Sequence, residues 1–237
     1  MDKDYLKAKE LVKKAKKTIQ EENRFFPDSI FVKELNSICT ENEILVPEGR
    51  IFYRARMFDR NYKRSTVDKC FEGYSKEESF VNMNDRWNAY GRMNAQGIKV
   101  LYVATDERTT IMELHPGSQD LLSVALIRLN ENLKIVNLSS GVARGSEEFH
   151  LFVSTEVQEI ISQGHTERDY VFSQYISSYC KYMGYDGIAY KSKYARKADV
   201  KEGNGVNIAI FNYEKCEPIG SYLKEVESIS VKTKDCV

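Results

Sequence analysis

Residues 91–138 read GRMNAQGIKVLYVATDERTTIMELHPGSQDLLSVALIRLNENLKIVNL, and the succession of elements in this stretch decides the fold class. Lys99 to Ala104 reads as a strand: alternation puts Val100, Tyr102 and Ala104 on one face and Leu101 and Val103 on the other. Asp106 is the natural N-cap of a short helix that must stop before Pro116. Two further apolar runs then follow in succession, Ser123–Leu129 and Leu133–Leu138, separated by a turn signal. Strands that come as neighbours, rather than in strict alternation with helices, favour an α+β fold over a doubly wound parallel sheet.

Outward from this stretch, Ile51–Ala55, Gly187–Tyr190 and Asn207–Phe211 also read as strands. Helical spacing of Phe149, Val153, Val157, Ile160 and Ile161 predicts a helix over 146–163, and Val171, Tyr175, Ile176 and Tyr179 predict another over 169–182. Gly184 and the turn Tyr185–Asp186–Gly187 punctuate the second of these. At the N-terminal end, Ala8, Leu11, Val12, Ala15 and Ile19 predict a helix over 2–22 whose lysine-rich face is solvated, and Phe31, Leu35 and Ile38 predict another over 29–39. The chain is therefore expected to divide into a helical extension, 1–44, and a domain, 45–237. Residues 58–90 and 193–205 are long stretches without a clear pattern, the kind of loop that more often binds or closes than merely connects.

Composition narrows the function classes. Of the 237 residues 42% are hydrophobic and 30% charged, which suits a globular protein with one sizeable core. Thirty-five basic residues balance 35 acidic ones, so no global field draws the chain onto nucleic acid or an anionic membrane, and an anionic ligand must be met by local charge. The N-terminus lacks the apolar core of a secretory signal, and no run of about 18 apolar residues occurs, so neither secretion nor a membrane span is expected. Five cysteines, scattered and odd in number, fit reduced thiols in a cytoplasm. His115, His150 and His165 show no metal-ligand spacing, so no metal site is expected.

The polar side chains with chemical potential cluster in the quoted stretch. Gly91 and Gly97 bracket a turn in which Arg92 and Asn94 offer polar heads. Glu113 stands near the end of the short helix, away from the first turn where the helix dipole would favour a carboxylate. Far away in sequence, in the segment Ile51–Phe52–Tyr53–Arg54–Ala55–Arg56, Arg54 and Arg56 share one face of a strand and are suited to charge-assisted, bidentate contacts with a diphosphate. A helix carrying Gln174 leads into a strand that ends at Ser192. Singly, each has an ordinary structural reading; together they outline an anion-binding site with one carboxylate. No GxGxxG follows a strand, so a Rossmann site is not indicated.

The order of these blocks resembles the RES domain family. The resemblance runs through Tyr53–Arg54, Gly91–Arg92–Met93–Asn94, Leu101–Tyr102–Val103–Ala104, Glu113, Gln174, Gly184–Tyr185–Asp186–Gly187–Ile188, Ser192 and Asn207–Phe211, about residues 45–213 in all. It implies an ADP-ribosyltransferase-like core of mixed sheet with flanking helices. It also implies an enzyme that cleaves the nicotinamide–ribose bond of NAD+ by hydrolysis or phosphorolysis, acting as the toxin of a toxin–antitoxin pair with an antitoxin protein as partner. NAD+ would be the substrate, and no cofactor would be required. Carried over position by position, Glu113, Arg92 and Tyr102 are the catalytic set, with Glu113 as the carboxylate that assists bond cleavage and Tyr102 stacking on nicotinamide or the adjacent ribose. Arg54 and Arg92 hold the diphosphate, Ser192 fixes the substrate, and Asn94 and Arg56 complete the binding set. Two other readings stay open: transfer of ADP-ribose to a protein or nucleic acid, and a non-catalytic nucleotide-binding module.

Overall fold

Strand alternation divides the apolar residues between two layers. Val136, Leu138, Ile188, Tyr190, Ala209 and Phe211 enter one core cluster, while Leu133, Ile135, Ala189, Ile208 and Ile210 enter another on the opposite side of the same strands. The structure, a computed structural model, describes residues 3–63, 69–81, 90–139, 148–163, 167–196, 199 and 203–228. Among these residues there are eight strands: β1 (Glu43–Val46), β2 (Ile51–Met57), β3 (Leu101–Ala104), β4 (Leu121–Leu129), β5 (Leu133–Leu138), β6 (Gly187–Lys191), β7 (Val206–Ile210) and β8 (Cys216–Glu225). They form one mixed sheet in the order β1-β5-β6-β7-β3-β2-β4-β8. Of the pairings among these eight strands, β5 with β6 is the parallel one. That pair requires a crossover, and helices α4 (Glu148–Gln163) and α5 (Glu167–Tyr182) supply it. The architecture is the α+β fold that the succession of strands predicts.

Helices α1 (Lys3–Lys17) and α2 (Ser29–Glu41), joined through a π-helical turn at Thr18–Glu22, pack into the same cluster as α4 and α5. Their apolar stripes, Ala8, Val12 and Ala15 on α1 and Phe31, Leu35 and Ile38 on α2, are essentially unexposed. Phe31 meets Phe172 of α5 at 5.7 Å and Tyr5 meets Phe152 of α4 edge-on at 5.2 Å. The N-terminal helices thus complete the cover on one face of the sheet, and the boundary expected at 44/45 falls inside β1, which pairs with β5.

Three features differ from the sequence expectation. β1 is an additional short strand, and its exposed residues give it no alternating signature. β8 is also additional: Pro218 and Gly220 break the strand pattern there. The proline is tolerated because β8 ends the sheet order and its register with β4 shifts between Leu126 and Ile127, where Ile127 faces Pro218. Part of the long 58–90 stretch is ordered against this edge. Glu72 N donates to Ser221 O at 2.8 Å, Tyr74 N to Ser123 Oγ at 2.9 Å, and Val81 enters the core. Residues 64–68 and 82–89 of that stretch, 197–198 and 200–202 of the other, His165, Cys236 and the first two residues of the helix expected from 146 lie outside the described residues. Among the described residues, Cys39, Cys70, Cys180 and Cys216 form no disulfide. No helix among the described residues is long and apolar enough to cross a membrane.

Candidate active site

The sheet has a weak seam. β2 pairs with β4 through seven residues and β3 pairs with β7 through four, whereas β2 and β3 share a single pair, Tyr53 with Ala104. Beyond that pair the two strands part, and a cleft of about 260 Å³ opens beside them. Arg54 bridges the gap: its Nη1 donates to the Tyr102 carbonyl at 3.1 Å. Its Nε is buried and has no hydrogen-bond partner among the described residues. Burial, aided by the neighbouring Arg56 charge, pushes the Arg54 guanidinium down to about 10. A desolvated cation with an unused N–H, lining a cleft, is a prepared anion contact.

Glu113 enters the cleft from the last residue of α3 (Glu107–Glu113), the end of a helix where the dipole disfavours a carboxylate. Two donors offset this. Ser192 Oγ and Asn207 Nδ2 each donate to Glu113 Oε1 at 2.7 Å, from residues that are 1% and 7% exposed. Among the described residues no hydrogen bond reaches Oε2. The helix is itself pinned at three points. Asp106 caps it, accepting from Thr109 N at 2.8 Å, and the same carboxylate accepts from Gly205 N at 2.8 Å. Thr110 Oγ1 accepts from Ala55 N of β2 at 2.9 Å. Strands β2, β6 and β7 therefore all bear on the position of one carboxylate.

The opposite wall is the 91–98 turn. Gly91 is required there, because an added Cβ would lie 2.6 Å from Asn94 Oδ1 and 2.7 Å from the Tyr102 hydroxyl; Gly97 sits at φ +83°. The Tyr102 hydroxyl clamps the turn by donating to Asn94 Oδ1 at 2.7 Å and accepting from Met93 N at 2.8 Å. From α5, Ser173 Oγ donates to Arg92 O at 2.5 Å, Gln174 Nε2 to Gly91 O at 2.8 Å and Asn94 O at 3.0 Å, and Ser177 Oγ to Met93 O at 2.6 Å. One helix face thus binds four successive carbonyls of the turn. Arg92 is fixed as firmly at its far end. Its guanidinium donates to the carbonyls of Ile161 and Ser162 at 3.2 and 3.3 Å, where α4 ends, and lies 5.9 and 5.7 Å from the rings of Tyr170 and Tyr190. Burial raises the Tyr102 and Tyr190 phenols well above their ordinary value, so both are neutral near pH 7.

Of the residues singled out in the sequence, Arg54, Arg92, Tyr102 and Glu113 line one cleft, and Ser192 stands behind Glu113. Asn94 and Arg56, expected in the binding set, are not among the residues that line it. Asn94 is 6% exposed and spends its amide inside the turn, donating to Ile98 O at 3.0 Å. Arg56 turns to the 74–78 segment, donating to Glu78 O with its guanidinium 5.9 Å from the Tyr74 ring. Tyr170, Tyr190 and Asn207 line the cleft without having been singled out. Tyr190 reads as an ordinary strand aromatic, and Asn207 carried a signal only as the first residue of the last strand block.

A family model described as the RES domain matches residues 53–226. No curated protein matches the chain. Among solved structures, the crystal structure of the M. tuberculosis MbcT–MbcA toxin–antitoxin complex is similar, with a TM-score of 0.46 and 12% identity over 84% of this chain and 93% of that one.

Proposed function

The chain belongs to the RES domain family, and on that premise we propose that it cleaves the nicotinamide–ribose bond of NAD+. The observation that carries the reading is the carboxylate of Glu113, held through one oxygen by Ser192 and Asn207 in a cleft that also receives Arg54 and Arg92. When the C1′–N bond breaks, nicotinamide leaves with the bonding pair and positive charge spreads over the ribose ring, as in glycoside cleavage. A carboxylate accepting a hydrogen bond from the ribose stabilises that charge, by a factor of roughly a hundred to a thousand in rate. Water or inorganic phosphate then bonds to C1′ and releases a proton, giving ADP-ribose or its 1-phosphate.

The remaining residues bind and orient. Arg54 and Arg92 meet the diphosphate from two sides, and their fixed positions lower the entropy lost on binding. The Tyr102 ring backs the reacting ribose, while its hydroxyl keeps the turn closed. A cleft of about 260 Å³ is smaller than the roughly 300–1,000 Å³ of a drug-sized ligand site, which supports a reading in which one end of NAD+ enters it, the nicotinamide riboside end beside Glu113. A chain that consumes NAD+ without restraint is harmful to its cell, and we assign it the part of a toxin held by an antitoxin protein.

The test is to incubate the protein with NAD+, with and without phosphate, and to follow nicotinamide release together with the ADP-ribose product. Glu113→Gln is expected to lower turnover by at least about a hundredfold without changing the circular dichroism spectrum. If the wild type releases no nicotinamide in either buffer and labels no protein or nucleic acid with ADP-ribose, the reading fails.

A further inference from the structure

The family match begins at residue 53, yet a segment far upstream contacts the side chain of α5 that holds the wall of the cleft. Between the π-helical turn and α2, Asn23 Oδ1 accepts from the backbone N–H groups of Phe25 and Phe26 at 3.0 and 3.2 Å, closing a tight bend around Arg24. Arg24 Nη2 donates to Oε1 of Gln174. Gln174 is 5% exposed, and its Nε2 holds the carbonyls of Gly91 and Asn94. The acceptor and the two N–H donors of this amide are therefore all engaged, the acceptor by a cation from the N-terminal segment and the donors by the turn that carries Arg92.

From this chain of contacts we propose that Arg24 is a positioning residue for Arg92, acting through Gln174. It rests on the NAD+ reading above in one respect only, that Arg92 binds the diphosphate. A cation on Oε1 polarises the amide and strengthens its N–H donors toward the two carbonyls. It also opposes the flipped amide, which would aim an N–H at the guanidinium and an oxygen at two carbonyl oxygens. The consequence is that helices α1 and α2, outside the matched family region, set the geometry of the substrate wall. Two ion pairs at the same junction, Arg168 with Glu21 and Lys16 with Asp169 at 3.0 Å, join the N-terminal segment to α5 without touching Gln174. They offer a control that distinguishes positioning from general docking of the helices.

The experiment uses the full chain as wild type, Arg24→Ala, Arg24→Lys, Gln174→Ala, the Arg24→Ala/Gln174→Ala double variant and Arg168→Ala. In steady-state turnover Arg24→Ala is expected to raise KM for NAD+ about five- to tenfold while kcat changes by less than about twofold. Arg24→Lys recovers part of the loss. The double variant matches Gln174→Ala alone, because Arg24 acts only through that amide. In hydrogen exchange without nucleotide, Arg24→Ala speeds exchange of the amides in 91–98 and Arg168→Ala does not. Exchange needs no NAD+ chemistry: if the wild type leaves NAD+ intact but Arg24→Ala still loosens 91–98, the reaction assigned above fails and the coupling stands. Unchanged exchange, unchanged KM, additive loss in the double variant or an equal effect of Arg168→Ala each overturns the proposal.

Discussion

Replacing Arg54 with methionine is expected to stabilise the ligand-free protein while removing its hold on a diphosphate. Methionine keeps the length and flexibility needed to fill the seam between β2 and β3. Burial lowers the guanidinium to about 10. At about 1.4 kcal/mol per tenfold change in proton affinity, the charged form is disfavoured by up to roughly 3 kcal/mol in the folded state. Solvent entering the open cleft screens part of this, and the variant also loses the hydrogen bond to the Tyr102 carbonyl, worth about 1 kcal/mol. The net gain is about 1 kcal/mol, a rise in Tm of about 2–4 °C for a chain of this size. The sign follows from linkage: the folded state holds the proton less tightly, so the destabilisation is complete below pH about 10 and fades only as pH climbs toward the ordinary guanidinium value. Thermal melts at pH 7 with and without NAD+ or ADP-ribose read both effects, because a ligand that binds only the native state raises Tm. A variant that melts below the wild type yet keeps the full ligand-induced rise would show that Arg54 is a stabilising member of the sheet and not an anion contact.

Other outcomes follow from the contacts around it. Asn207→Ala leaves Glu113 with Ser192 as its Oε1 donor and is expected to lower kcat about ten- to a hundredfold with little change in KM; a pure KM effect in steady-state assays would contradict the orienting role. Asp106→Ala removes the cap of α3 and its tie to Gly205, so denaturant unfolding should show a loss of about 1–2 kcal/mol, and no loss would refute the cap. Burial alone would push the Asp186 carboxyl up, but donation from Lys134 N, Asn212 and Lys215 outweighs it and the group lies below its ordinary value. Its contribution is present above the unfolded carboxyl value near about 4 and is lost as pH falls through the folded one, so Asp186→Asn should be less stable than wild type at pH 7 and the gap should narrow in acid; a gap that is constant with pH would exclude the linkage.

The central elements were legible because burial writes a period into them. β5, β6 and β7 are buried on both faces and read as short apolar runs, and α5 shows its stripe through Val171, Tyr175 and Tyr179. β8 was not legible, since an edge strand with a bulge can carry Pro218 and Gly220 and so imitates a loop. The seam between β2 and β3 was not legible at all. Which strands pair, and over how many residues, depends on contacts between residues about 50 positions apart, such as Tyr53 with Ala104, and local patterns do not carry that.

The site divides along the same line. Glu113 was marked by its place in the ordered blocks of the family resemblance; its position near the end of a helix, away from the first turn, was only a local hint. The donors themselves, Ser192 and Asn207, are 79 and 94 positions away, and nothing local distinguishes Asn207 from any strand asparagine. Asn94 and Arg56 do not line the cleft, for the converse reason. Both are polar side chains in the right neighbourhood, but a side chain next to a glycine turn or on a strand finds the nearest backbone partner first, and Asn94 takes Ile98 O while Arg56 takes Glu78 O. What separates Arg54 from Arg56 is therefore satisfaction, not position on the strand: Arg54 keeps a buried N–H without a partner among the described residues, and Arg56 turns to the 74–78 segment. An unmet donor in a cleft is a property of the folded chain alone. A sequence can nominate the residues that carry charge into a site; only the hydrogen-bond inventory of the fold shows which of them are still available to a ligand.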